Sequence, residues 1–107
     1  MDKVLTGIVK RIVDQVSPEQ IILFGSRAKK NSYRDSDYDI LVLKTSVKDK
    51  RKLQQSLYLL LYGSGASVDV LVDTPDNYEK LAENKFLIHH NIKKEGIVIY
   101  ERERVSK

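Results

Sequence analysis

Asp37 and Asp39 stand two positions apart at the head of the apolar run Ile40-Leu41-Val42-Leu43. On a β-strand, residues two apart project from the same face. Carboxylates placed side by side repel, which costs stability unless a cation lies between them. Hard oxygen donors of this kind suit Mg²⁺, above all where phosphates complete the coordination. Ten residues separate Asp37 from Ser26, which follows Gly25 at the end of a second apolar run, Ile21 to Phe24. Glycine lets the backbone approach a ligand closely, and the amides after it can face an anion. One stretch therefore offers a phosphate cradle and a metal site on adjacent strands. Downstream, Asp69 is a charged residue inside Val68-Asp69-Val70-Leu71-Val72, an otherwise apolar strand pattern.

These residues need a scaffold, and 107 residues supply a single domain, 1–107, with a modest core and no room for a separate substrate domain. Nineteen Lys and Arg against fifteen Asp and Glu give a net charge of +4. That balance is compatible with a nucleotide, RNA or an acidic partner and requires no nucleic acid. With no cysteine, neither a disulfide framework nor a thiolate zinc site can form. Charges at Asp2, Lys3, Lys10, Arg11 and Asp14 interrupt the first twenty residues, so no signal-peptide core and no membrane span is expected. The expected setting is cytoplasmic.

Val4, Leu5, Ile8, Val9, Ile12, Val13 and Val16 recur at helical spacing and predict an amphipathic helix over 2–16, stopped by Ser17-Pro18. A strand over 20–24 follows, then a short helix from Ser26 to about Lys30 and a polar loop over 31–36. The second strand, 37–43, sends Tyr38, Ile40 and Val42 to one face and Asp37, Asp39 and Leu41 to the other. If the first helix covers the Ile40 side, the carboxylates lie on the opposite face. A helix opening at the charged patch 48–52 runs to about Tyr62 and stops at Gly63-Ser64-Gly65. Its apolar surface, with Tyr58, Leu59 and Tyr62, is wider than one face requires and reads as a helix wedged between sheet and neighbouring helix. The third strand covers 67–73. Thr74-Pro75 starts a helical stretch that breaks near Asn84 and ends at Gly96, before a last strand over 97–100 and a fraying tail. The expected fold is α+β, with a mixed sheet of about four strands, helices on one face and the carboxylate site on the other.

Gly25-Ser26, ten residues, Asp37-x-Asp39 and the strand carboxylate Asp69 together resemble the DNA polymerase beta-like nucleotidyltransferase superfamily, and within it the minimal nucleotidyltransferases. The resemblance covers essentially the whole chain. It implies transfer of a nucleoside monophosphate, AMP from ATP, to an acceptor with release of pyrophosphate. Gly25 and Ser26, with Arg27 beside them, would bind the nucleotide. Asp37, Asp39 and Asp69 would be the catalytic, metal-binding residues for one or two Mg²⁺, with Asp69 helping to deprotonate the acceptor hydroxyl. Nucleotidyl transfer needs this chemistry, since metals neutralise phosphate charge and align nucleophile with leaving group. Relatives often carry a glycine shortly after the Gly-Ser-Arg-Ala segment, where this chain has Lys29-Lys30-Asn31, a departure that leaves the path of the loop open. Short members resemble antitoxins that modify a tyrosine of a HEPN-type toxin, and a chain without an acceptor domain points the same way.

A reading from another class is a non-catalytic nucleotide-binding module that neutralises or scaffolds its partner by direct binding. The intact set of Gly25, Ser26, Asp37, Asp39 and Asp69 argues against it. Asp35, Asp73 and Asp76 read as loop and cap residues. His89 and His90 point about 100° apart on a helix and cannot both serve one ion, so they read as surface and interface residues. Tyr58 and Tyr62 read as packing. The broad apolar helix predicts association with a partner or with a second copy.

Overall fold

The computed structural model describes residues 2–29 and 37–102, in the order α1 (Lys3–Val16), β1 (Gln20–Phe24), a 3-10 turn (Gly25–Ala28), β2 (Tyr38–Leu43), α2 (Lys50–Leu61), β3 (Val68–Asp73), α3 (Pro75–Ala82), α4 (Ile88–Glu95) and β4 (Ile97–Glu101). The polar loop predicted over 31–36 and the charged tail beyond 102 lie outside the described residues. Each boundary has a local cause. Asp2 caps α1, its Oδ1 accepting from the Leu5 N–H at 2.7 Å, and Ser17 ends the helix in the left-handed region at φ 51° ahead of Pro18. Asp49 caps α2 and Thr74 caps α3, where Pro75 occupies the first turn.

The four strands form one mixed sheet in the order β3-β2-β1-β4. β1 runs antiparallel to both β2 and β4, while β2 and β3 are parallel. Parallel neighbours need a long crossover, and α2 provides it. The alternation of β2 divides the core. Tyr38, Ile40 and Val42 join Leu5, Ile8 and Ile12 of α1, Leu57 and Leu61 of α2, and Val68, Val70 and Val72 of β3. On the opposite face Leu41 and Leu43 pack with Ile22, Tyr78 of α3 and Ile92 of α4.

The carboxylate face is therefore the one that α1 leaves free, as the alternation of β2 requires. It is not bare along its whole length. α3 and α4 cover its Leu41 and Leu43 end, and the Asp39 end stays open. Period-two alternation shows which side chains share a face, but the helices that pack there are set by where the chain returns after β3.

The expectation for α2 fails in one respect. α2 does pack between the sheet and its neighbouring helix, on β3 and α1 through Leu57 and Leu61, but that packing does not absorb its whole apolar surface. Leu59 is 79% exposed and Tyr62 89% exposed, so much of its apolar surface faces outward. The histidine expectation fails too. Both imidazoles turn inward: His90 Nδ1 lies 3.0 Å from the Ala82 carbonyl oxygen, and His89 Nε2 lies 3.5 Å from Asp73 Oδ2.

Candidate active site

β1 delivers Gly25 at its C-terminal end, where the backbone turns sharply with φ 73°. That region favours glycine. A second constraint acts at the same position, because a Cβ on Gly25 would overlap Oδ2 of Asp39 on the neighbouring strand. The Gly25-Ser26 turn is thus pressed against a carboxylate by sheet pairing, Phe24 standing opposite Asp39 in the β1–β2 register. Ser26 closes the turn by accepting a hydrogen bond from the Lys29 N–H at 3.1 Å.

The parallel pairing of β2 and β3 sets Asp39 opposite Asp69. Both point to the face away from α1, and Asp37 lies exposed immediately before β2 on the same side. The mutual effect falls on Asp39, whose carboxyl is raised above its ordinary value by burial first and then by the charges of Asp69 and Asp37. The group resists ionisation where the strand pairing holds it, which is the situation a bound cation relieves.

The donor set fits a hard cation shared with phosphate. Among the described residues, no three His, Asp or Glu side chains are gathered to hold an ion by themselves. Mg²⁺ is typically bound by one or two carboxylates with the remaining positions filled by phosphate and water oxygens.

Tyr58 is the residue that sequence reasoning missed. Its hydroxyl, on α2, accepts a hydrogen bond from the Val70 N–H on the outer edge of β3 at 3.2 Å and lies 3.5 Å from Asp69 Oδ1. Packing was the only signal the sequence carried, because the contact depends on α2 overhanging the edge strand.

Arg27 behaves differently from Gly25 and Ser26. Its guanidinium carbon stands 4.1 Å from the centroid of the Tyr38 ring, and Tyr38 in turn donates to Asp2 Oδ2 at 2.9 Å. Tyr38 belongs to the α1 face of the sheet, so Arg27 braces the turn from the side opposite the carboxylates.

Asp73, read from sequence as a cap, does more than cap. It is the one buried charged residue among the described residues, at 4% exposure. Oδ1 accepts from the Thr74 N–H at 2.8 Å, from Asn77 Nδ2 at 2.9 Å and from Lys50 Nζ at 3.3 Å. The starts of α2, α3 and α4 thereby meet at the far end of β3. Burial pushes this carboxyl up, but the hydrogen bonds from Asn77, Thr74 and Lys50 outweigh it, and the net shift is downward. Asp73 is a structural clamp at the other end of the strand that carries Asp69.

Comparison with known proteins bears on the fold and the family. The family model for "Polymerase beta, Nucleotidyltransferase" matches residues 7–105. A crystal structure of a toxin–antitoxin with AMP-PNP is similar, with TM-score 0.62 and 20% identity, covering 92% of this chain and 73% of its own. A toxin–antitoxin MntA–HpeT structure carrying two aspartate-to-glutamate changes superposes with TM-score 0.61 at 18% identity, over 92% and 73% of the two chains. A tyrosine-to-alanine mutant of the same pair gives TM-score 0.60 at 19% identity, with the same coverage. No curated protein matches the sequence. Identities this low establish a shared fold, whereas the family match spans nearly the whole chain, and on that ground this chain belongs to the polymerase beta nucleotidyltransferase family.

Proposed function

We propose that this chain is a Mg²⁺-dependent nucleotidyltransferase that moves AMP from ATP onto a hydroxyl of a partner protein, with release of pyrophosphate. The observation that carries this is the contact between the Gly25 turn and Asp39, with Asp69 opposite Asp39 on the next strand. A glycine turn lying against paired carboxylates supports reading the turn as a phosphate cradle beside a metal site. In this reading Gly25 and Ser26 bind the triphosphate, and Arg27 joins them. Asp37, Asp39 and Asp69 hold the metal, and Asp69 takes the proton from the attacking hydroxyl. Mg²⁺ bound there supplies charge neutralisation at the phosphates and in-line alignment. The new bond joins the acceptor oxygen to the α-phosphorus, and the bond to the β-phosphate oxygen breaks.

A protein acceptor is supported by the neighbours, which are toxin–antitoxin structures. By that analogy the acceptor is a tyrosine of a HEPN-type toxin and the chain is an antitoxin. The second reading, binding and neutralisation without turnover, draws on the exposed Leu59 and Tyr62.

Labelled ATP separates the two. The protein is incubated with Mg²⁺ and the polypeptide that co-purifies with it, using label at the α- or the γ-phosphate. Transfer of α but not γ label, absent in Asp37→Asn with Asp39→Asn, is the expected result. A double mutant that modifies or neutralises the partner as well as wild type overturns the catalytic reading.

A further inference from the structure

A cleft of about 380 Å³ opens directly from the candidate site. Gly25 and Asp39 line it together with apolar Phe24 and Ile88, and its other polar lining is Lys29 after the turn and a rim of Asn91 and Glu95 on α4. This volume lies within the range of small-ligand pockets. The rim is one helix face, since Ile88, Asn91 and Glu95 follow at spacings of three and four. Ile88 is 50% exposed, so the wall offers apolar surface that a flat ring would cover.

We propose that this cleft is the nucleoside pocket, in which Asn91 reads the edge of adenine and Glu95 holds the ribose hydroxyls. The assignment rests on the nucleotidyltransferase reading and deepens it. A triphosphate seated on the Gly25 turn has its α-phosphate end beside Asp39, and the cavity sharing both residues receives the nucleoside attached to that phosphate. An amide offers one donor and one acceptor side by side, the complement of the adenine amino group and its neighbouring ring nitrogen. A carboxylate accepts from both hydroxyls of a ribose. A larger cavity, about 790 Å³, lies at the other end of the sheet against Leu43 and is lined by four carboxylates, Glu19, Asp76, Glu79 and Glu101, against one guanidinium, Arg102. That lining repels a triphosphate, and the cavity touches none of Gly25, Asp39 or Asp69.

The experiment is calorimetric titration of the full chain with the Mg²⁺ complexes of ATP, GTP, CTP, UTP, 2′,3′-dideoxy-ATP and tripolyphosphate. Wild type is compared with Asn91→Ala and Glu95→Gln. Both residues are exposed on α4, so the substitutions spare the core. Wild type is expected to bind ATP about tenfold or more tighter than the other bases, the usual scale of an amide–adenine pair. Asn91→Ala should erase that preference. Glu95→Gln should reduce the difference between ATP and its dideoxy analogue, which in wild type is about tenfold, as for hydrogen bonds to a charged group. Tripolyphosphate affinity should not move in either variant. Unchanged base and ribose discrimination in both variants overturns the pocket and leaves the nucleotidyltransferase reading intact. A wild-type preference for GTP, reduced by Glu95→Gln, overturns the adenine assignment. Absence of any Mg²⁺-nucleotide binding to wild type overturns both.

Discussion

Asp39 is held where its charge is unfavourable, by burial first and then by Asp69 and Asp37. Its folded-state carboxyl binds a proton more tightly than in the unfolded chain, so this residue stabilises the fold as pH falls through its raised value and destabilises it above. Asp39→Asn is accordingly expected to raise the melting temperature at pH 7, by ~0.5–2 kcal/mol, the scale of single stabilising substitutions, while transfer is lost. The gain should vanish in acid, where the wild-type group is already protonated. Thermal melts at neutral and acid pH check this, and added Mg²⁺ should stabilise wild type more than the variant. Tyr58 gives a second test. Tyr58→Phe leaves the Val70 N–H without its protein acceptor and should cost about 0.5–1.5 kcal/mol in urea unfolding. A loss of transfer rate with nucleotide affinity retained would show that the same hydroxyl also positions Asp69.

The elements divide the carboxylate face between chemistry and support. β2 and β3 each carry carboxylates near their starts and are closed off near their ends, β3 by Asp73 and its helix-start partners. α3 and α4 are further joined by the Lys93–Glu79 ion pair and by Tyr78, whose ring centroid lies 6.5 Å from that of His89. Asp73→Ala therefore removes the common partner of α2, α3 and α4 and should cost about 1–3 kcal/mol at pH 7. Because this carboxyl is lowered on folding, its contribution is complete above the ordinary carboxylate value of about 3.9 and is lost as pH falls through the folded value. Urea melts of wild type and variant should differ at pH 7 and converge in strong acid. The clamp also aligns α4, whose Asn91 and Glu95 rim the cleft beside Asp39.

For the molecule as a whole, the outward face of α2 is a departure from a self-contained domain. Leu59 and Tyr62, with half-exposed Tyr58 beside them, form an apolar patch on the helix whose Tyr58 also reaches Asp69. Burying such a patch is favourable, and light scattering should show the chain, alone or with the polypeptide that co-purifies with it, above the 12.3 kDa of a monomer. Leu59→Asp with Tyr62→Asp should abolish that association without unfolding the chain, since both side chains face outward. How much of this was legible along the chain depends on the range of the forces involved. Helix and strand periodicity, caps and the face shared by Asp37 and Asp39 are local, so Thr74, the Gly25-Ser26 turn and the alternation of β2 could be read residue by residue. The sequence by itself thus determined the elements, the fold class and the carboxylates on one face. Only the tertiary structure decided what meets across the fold: Asp39 under Gly25, Tyr58 at Asp69, Arg27 on Tyr38, Asp73 among three helix starts, and the cleft against α4. Most of those contacts join residues distant in the chain, and their existence depends on strand order and helix docking, which no local pattern encodes.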